Sequence, residues 1–154
     1  MKFRMERIKP QHREPASRWH VLAVLALGAY WIALFGATHI PRLPLPTHYN
    51  LTDKVCHFVA FAILTFLAHL AWANRRRGVQ PVSWRDLCAV LLVVAAYGMV
   101  DEATQPLVGR SREFLDWLAD VTGALLATLV FAGLWSVTRR SGSLTRRSAE
   151  NAPA

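Results

Sequence analysis

Two acids stand side by side where an apolar run ends, in AAYGMVDEATQPLVGR, residues 95–110. Asp101 and Glu102 are followed by Gln105 one turn later and then by Arg110. Two further stretches share this character. Asp53, Lys54 and His57 open one apolar segment, and Asp116 and Asp120 open another just after Arg112 in the preceding loop. Residues four apart on a helix share a face, so Asp53 with His57, Asp101 with Gln105, Arg112 with Asp116, and Asp116 with Asp120 form same-face pairs. Carboxylates beside an imidazole can exchange protons or hold a divalent metal. Lysine and arginine can meet phosphate or carboxylate, arginine through two parallel hydrogen bonds. On that ground Arg110 is the expected partner of Asp101 or Glu102. The sequence contains no HExxH, no GxSxG and no phosphatase-type histidine and arginine set.

What positions these residues is a membrane. The chain has 154 residues, 53% of them apolar, and carries a net charge of +8. Its mean hydropathy is positive, more apolar surface than a domain of this size could hide in water. Four apolar segments predict spans at about 19–40, 55–73, 85–105 and 114–137 within a membrane domain 18–138. Basic tails, 1–17 and 139–154, flank it and are expected to be disordered. The first apolar run is too long for a cleaved signal peptide and lacks a small-x-small cleavage pattern, so a retained span is expected. Prolines 41, 44 and 46 predict a stiff loop before the second helix, which Thr52 or Asp53 would cap. Ser83 and Asp86 form a capping-box pattern at the third, and Ser111 would cap the fourth after a turn at Gly109.

The basic residues set the orientation. Lys2, Arg4, Arg7, Lys9, Arg13 and Arg18 lie before the first span. Arg75, Arg76, Arg77 and Arg85 lie between the second and third, and Arg139, Arg140, Arg146 and Arg147 follow the fourth. Together they hold 14 of the 18 lysines and arginines. Positive charge is retained on the cytoplasmic side. The fold class is therefore an all-α membrane protein with four transmembrane helices and both termini cytoplasmic, in a bacterial inner (cytoplasmic) membrane.

That topology gathers Asp53, Lys54, His57, Asp101, Glu102, Gln105, Arg110, Arg112, Asp116 and Asp120 at the outer side. From Leu87 to Asp101 is 14 residues, about 21 Å of helix, against a hydrocarbon core of about 30 Å. Asp101 would lie inside the apolar layer, where an unpaired acid costs a few kcal/mol. Plainer readings stand beside this one. A helix ending at Val100 would leave both acids in a loop. Asp53, Lys54 and Asp116 suit any helix start. His69, His20, His39, His12 and His48 read as ordinary interfacial or loop histidines, and Gly98 and Gly123 as close-packing points. Cys56 and Cys88 lack zinc spacing, fall near opposite sides of the bilayer and read as small packing residues without a disulfide.

In two blocks the sequence resembles the VanZ-like family of small bacterial membrane proteins. DKVCHFVAF supplies Asp53, Lys54, His57, Phe58 and Phe61 to a D-K-x-x-H-F-x-x-F pattern. YGMVDEATQPLVGRSREFLDWLADVTGALL supplies Asp101, Glu102 and Gln105 to D-E-x-x-Q, then Arg110, Asp116 and Gly123. The two blocks span 53–127. Relatives often carry asparagine where this chain has Asp120, and PLVGR lacks the proline of their VPGR. The resemblance implies a link to teicoplanin-type glycopeptide resistance, with no settled activity. Some relatives carry an acyl-phosphotransferase label, which no phosphate loop or nucleophile motif supports here.

Three functions fit the residues. In the first, the charged pocket binds or modulates a cell-envelope lipid or glycolipid head group at the outer leaflet, without catalysis. A lipid-linked wall precursor or a phospholipid is the expected partner, with the bilayer around it. In the second, the protein is a membrane-embedded hydrolase or group transferase acting on such a lipid. In the third, the polar cluster only locks the helices together. No cofactor is expected, with a divalent metal and an oligomer left open. Nucleic acid is set aside because the basic residues flank spans.

Overall fold

The computed structural model describes residues 18–41, 50–75 and 82–150, with backbone alone from 139 onward. The amino tail, most of the proline loop, Arg76, Arg77, His12 and His48 lie outside the described residues. Four helices, α1 (Arg18–Thr38), α2 (Asn50–Arg75), α3 (Trp84–Thr104) and α4 (Phe114–Glu150), make up the fold, with a short 3-10 helix at Gln105–Val108. Each is long and apolar enough to cross a membrane, and there is no strand among the described residues. The protein is an all-helical, multi-pass membrane protein.

Small residues let α2 and α4 approach closely, and this is the most extensive helix contact in the bundle. A side chain at Gly123 would run into the backbone carbonyl of Phe58. Ala124, Ala127 and Thr128 continue the same buried stripe on α4, with Ala124 packed in a cluster with Phe61 and Leu64 and Thr128 meeting His69. Small residues perform this task between membrane helices, where lipid gives no hydrophobic drive to association. Gly98 of α3 meets Phe61 and Asp120, so both glycines are close-packing points as expected. The edge of α1 lies along α2, tied by Tyr30 to the Ala60 carbonyl at 3.0 Å and by His20 Nδ1 to the Ala71 carbonyl at 3.2 Å.

Helix ends depart from expectation in three places. The second helix starts at Asn50, so Thr52 and Asp53 lie in its first turn instead of capping it. There Asp53 still suits the positive end of the helix. The α4 backbone stays helical to Glu150, through a stretch expected to be disordered that contains no proline to stop it. Ser111 stands too far ahead of Phe114 to cap α4, and its hydroxyl turns to Glu113 at 3.4 Å. The capping box at Ser83 and Asp86 forms in full.

Two side-chain readings also change. His69 is buried, not interfacial: its side of α2 faces α4, where it lies 3.0 Å from Thr128 and stacks on Phe131. Cys56 and Cys88 are free thiols on exposed faces, so neither packs the core.

Candidate functional site

At the end of the bundle that holds the α3–α4 connection, polar side chains from all four helices meet. Asp101 and Glu102 are in α3, not in a loop, because the helix continues to Thr104 before tightening into the 3-10 turn at Pro106. Gly109 ends that turn with φ 75, a left-handed conformation that L side chains rarely adopt. This reversal sends Arg110 back across the bundle toward α1 and α2.

Arg110 therefore meets different partners from those expected. Its guanidinium donates to the Thr38 carbonyl at 2.9 Å and lies 3.8 Å from Asp53. Asp101 and Glu102 are met by other groups. The Thr38 hydroxyl donates to Asp101 Oδ1 at 2.9 Å, with Tyr97 at 3.4 Å and the Gln105 amide at 3.5 Å from the same carboxylate. Gln105 Nε2 donates to Glu102 Oε1 at 3.0 Å, and the Glu113 backbone N–H donates to Glu102 Oε2 at 3.1 Å. Lys54, instead of Arg112, takes Asp116, donating to it at 2.8 Å and to Glu113 at 3.0 Å.

His57 is the centre of the arrangement. Its Nδ1 lies 3.0 Å from Asp120 Oδ1 and 3.9 Å from Glu102 Oε1, and its Nε2 lies 3.9 Å from Asp116 Oδ2. The same-face pairing of Asp116 and Asp120 thus brings both acids to one imidazole. Asp101, Gln105 and Asp120 are 0% exposed, and His57, Glu102 and Asp116 are buried with them. Two sets of three, Asp53–His57–Asp116 and His57–Glu102–Asp120, each bring one ligand atom per residue within 4.8 Å of the others, close enough to share a metal ion.

Nine of the ten candidate residues join this network. Arg112 stands apart: it is exposed, makes no ion pair among the described residues, and lines a groove of about 440 Å³ beside α3 and α4. Glu102, Glu113, Met99, Phe114 and Trp117 line the same groove. A smaller cavity of about 170 Å³ lies between α1 and α2, with Asp53, His57 and Arg110 beside Leu34, Ala37 and Phe61.

Four participants were missed. Thr38 and His39 end α1 at this same side, and His39 Nε2 lies 2.9 Å from Thr104 Oγ1. Their position at the predicted outer end of the first span was a usable signal. Tyr97 is four residues before Asp101 on one face, again visible in the spacing. Glu113 carried no sequence signal, since its role follows from the fold of the α3–α4 connection.

A family model described as VanZ/LLP1 matches residues 16–136, most of the chain, covering the first three membrane spans and nearly all of the fourth. No curated protein and no solved structure matches it.

Proposed function

The chain belongs to the VanZ/LLP1 family, and from that premise we propose that it binds the polar head group of an envelope lipid at the outer leaflet of the bacterial inner membrane. Both termini are then cytoplasmic, as the arginine distribution favours. The observation that carries the reading is the contrast among the cations. Lys54 and Arg110 are engaged within the bundle, whereas Arg112 is exposed at a groove with polar and apolar walls. A phosphate or carboxylate would meet Arg112, and an amine or hydroxyl would meet the half-exposed Glu113. Met99 and Phe114, both exposed, would lie against the lipid chains. The groove volume of about 440 Å³ suits a head group, within the range of about 300–1,000 Å³ usual for small-molecule sites.

A phospholipid and a lipid-linked wall precursor share this chemistry. Lipid that co-purifies with the wild type and with Arg112→Ala, identified by mass spectrometry, tests it. One lipid class enriched in the wild type and lost in the variant is expected. The same unselected lipid in both would overturn the proposal. The teicoplanin-type resistance link belongs to this reading, with loss of resistance in Arg112→Ala as its cellular counterpart.

The interior acids support a second role. Asp101 is fully buried and met by Thr38, Tyr97 and Gln105, so it acts as a lock between α1 and α3 behind the groove. Asp101→Asn would then lower stability while leaving the lipid profile unchanged.

A further inference from the structure

We propose that His57, Glu102 and Asp120 form a binding site for a divalent transition-metal ion of the zinc or manganese class, in the wall between the lipid groove and the bundle interior. The inference goes beyond head-group binding and does not depend on it.

The first ground is geometry. Two ligand atoms each about 2.0–2.1 Å from a tetrahedral zinc ion lie about 3.3 Å apart. His57 Nδ1 is 3.0 Å from Asp120 Oδ1 and 3.9 Å from Glu102 Oε1, which brackets that edge. All three ligand atoms fall within 4.8 Å of one another. Small side-chain adjustments would close the triangle. One imidazole nitrogen with carboxylate oxygens is a donor set for zinc or manganese, and three protein ligands leave a fourth position open.

The second ground is unsatisfied hydrogen bonding. Asp120 points Oδ1 at His57, yet its Oδ2 is buried without a hydrogen-bond partner. Gln105 donates through Nε2 to Glu102 Oε1, the same oxygen that faces His57, and its own Oε1 is buried and unpartnered. Both residues are 0% exposed. Buried oxygens usually find a donor, and a cation satisfies them as well. Asp120 would use both of its oxygens, and the Gln105 carbonyl lies beside the ligand set.

The third ground is charge. Asp101, Glu102 and Asp120 are all buried, and none is paired with lysine or arginine among the described residues. Lys54 is engaged by Asp116 and Glu113. An excess of negative charge in an apolar layer calls for a counter-ion, and a divalent ion is the most compact one. It would take the place of the His57 Nδ1 proton now shared with Asp120. Gln105 would act as a positioning residue, holding Glu102 by its amide.

The test is metal content and thermal stability of the intact protein in detergent. Protein purified without chelator, and protein stripped with EDTA and reloaded with Zn²⁺ or Mn²⁺ alone, would be measured by elemental mass spectrometry. About one ion per chain and a rise in Tm on reloading are expected, with at least a tenfold weaker uptake in Glu102→Gln and Asp120→Asn. Asp120→Asn keeps the side-chain shape. Glu102→Gln keeps the contact to Gln105 as a second, milder variant should the first fail to fold. No uptake by the wild type, or equal uptake by wild type and a folded variant, would overturn the proposal. Lipid content read on the same samples separates this outcome from failure of the head-group reading.

Discussion

His57 and Asp120 join α2 to α4 across 63 residues of sequence through a buried contact of 3.0 Å. Polar contacts between membrane helices contribute about 0.6–2 kcal/mol each, whereas removing one partner of a buried pair costs about 3–5 kcal/mol. His57→Ala and Asp120→Ala are each expected to destabilise the bundle, with the double variant losing about 1–2 kcal/mol less than their sum. A double-mutant cycle by unfolding in mixed micelles measures this. Additive losses would mean the two groups do not act on each other.

Gly123 and Gly133 lie ten residues apart on one helix and should respond oppositely to alanine. A methyl at Gly123 meets the Phe58 carbonyl, while nothing lies within 4 Å of one at Gly133. Backbone cannot swing away, so Gly123→Ala should cost about 1–3 kcal/mol or more by forcing α2 and α4 apart. Gly133→Ala should be neutral or stabilise by up to about 1 kcal/mol. Melting temperatures of the two variants in one detergent decide it.

The turn that redirects Arg110 depends on Gly109, whose φ is 75. Gly109→Ala is expected to lose about 1–2 kcal/mol, the cost of the left-handed conformation for an L residue. Gly109→Asn should lose less, because asparagine tolerates that region. Equal stability of glycine and alanine at this position, read from Tm, would show that the turn relaxes freely.

Orientation can be read from labelling. In a background lacking Cys56 and Cys88, Leu107→Cys should react with a membrane-impermeant maleimide added to intact inner-membrane spheroplasts. Trp84→Cys should react only after lysis. Leu107 and Trp84 are both well exposed, near opposite ends of α3. The reverse pattern would invert the topology drawn from the arginines.

Much of this arrangement was legible because the bilayer constrains it. Apolar length set four helices, and the i, i+4 spacing placed Asp101 with Gln105 and Asp116 with Asp120 on common faces. Spacing speaks only within a helix, however. That Thr38 reaches Asp101, or that Lys54 and not Arg112 reaches Asp116, depends on how far each helix is rotated about its axis. The expected Arg110 pairing failed for a related reason. One left-handed glycine reversed the chain before it, and no charge rule reports that. His69 looked interfacial because its turn toward Thr128 and Phe131 of α4 is a matter of helix rotation, which spacing does not report.

The ties at the polar end also have a direction in time. Asp101 bonds to Thr38, Asp116 to Lys54 and Asp120 to His57, so each later acid closes on a residue made earlier in synthesis. When α3 and α4 leave the insertion machinery, their partners already sit in the bilayer. An acid entering lipid alone carries a cost of a few kcal/mol, and here its exposure lasts only until it docks. Chain order thus doubles as an assembly programme, and a circular permutant that made α4 first would insert poorly even if its finished bundle were unchanged.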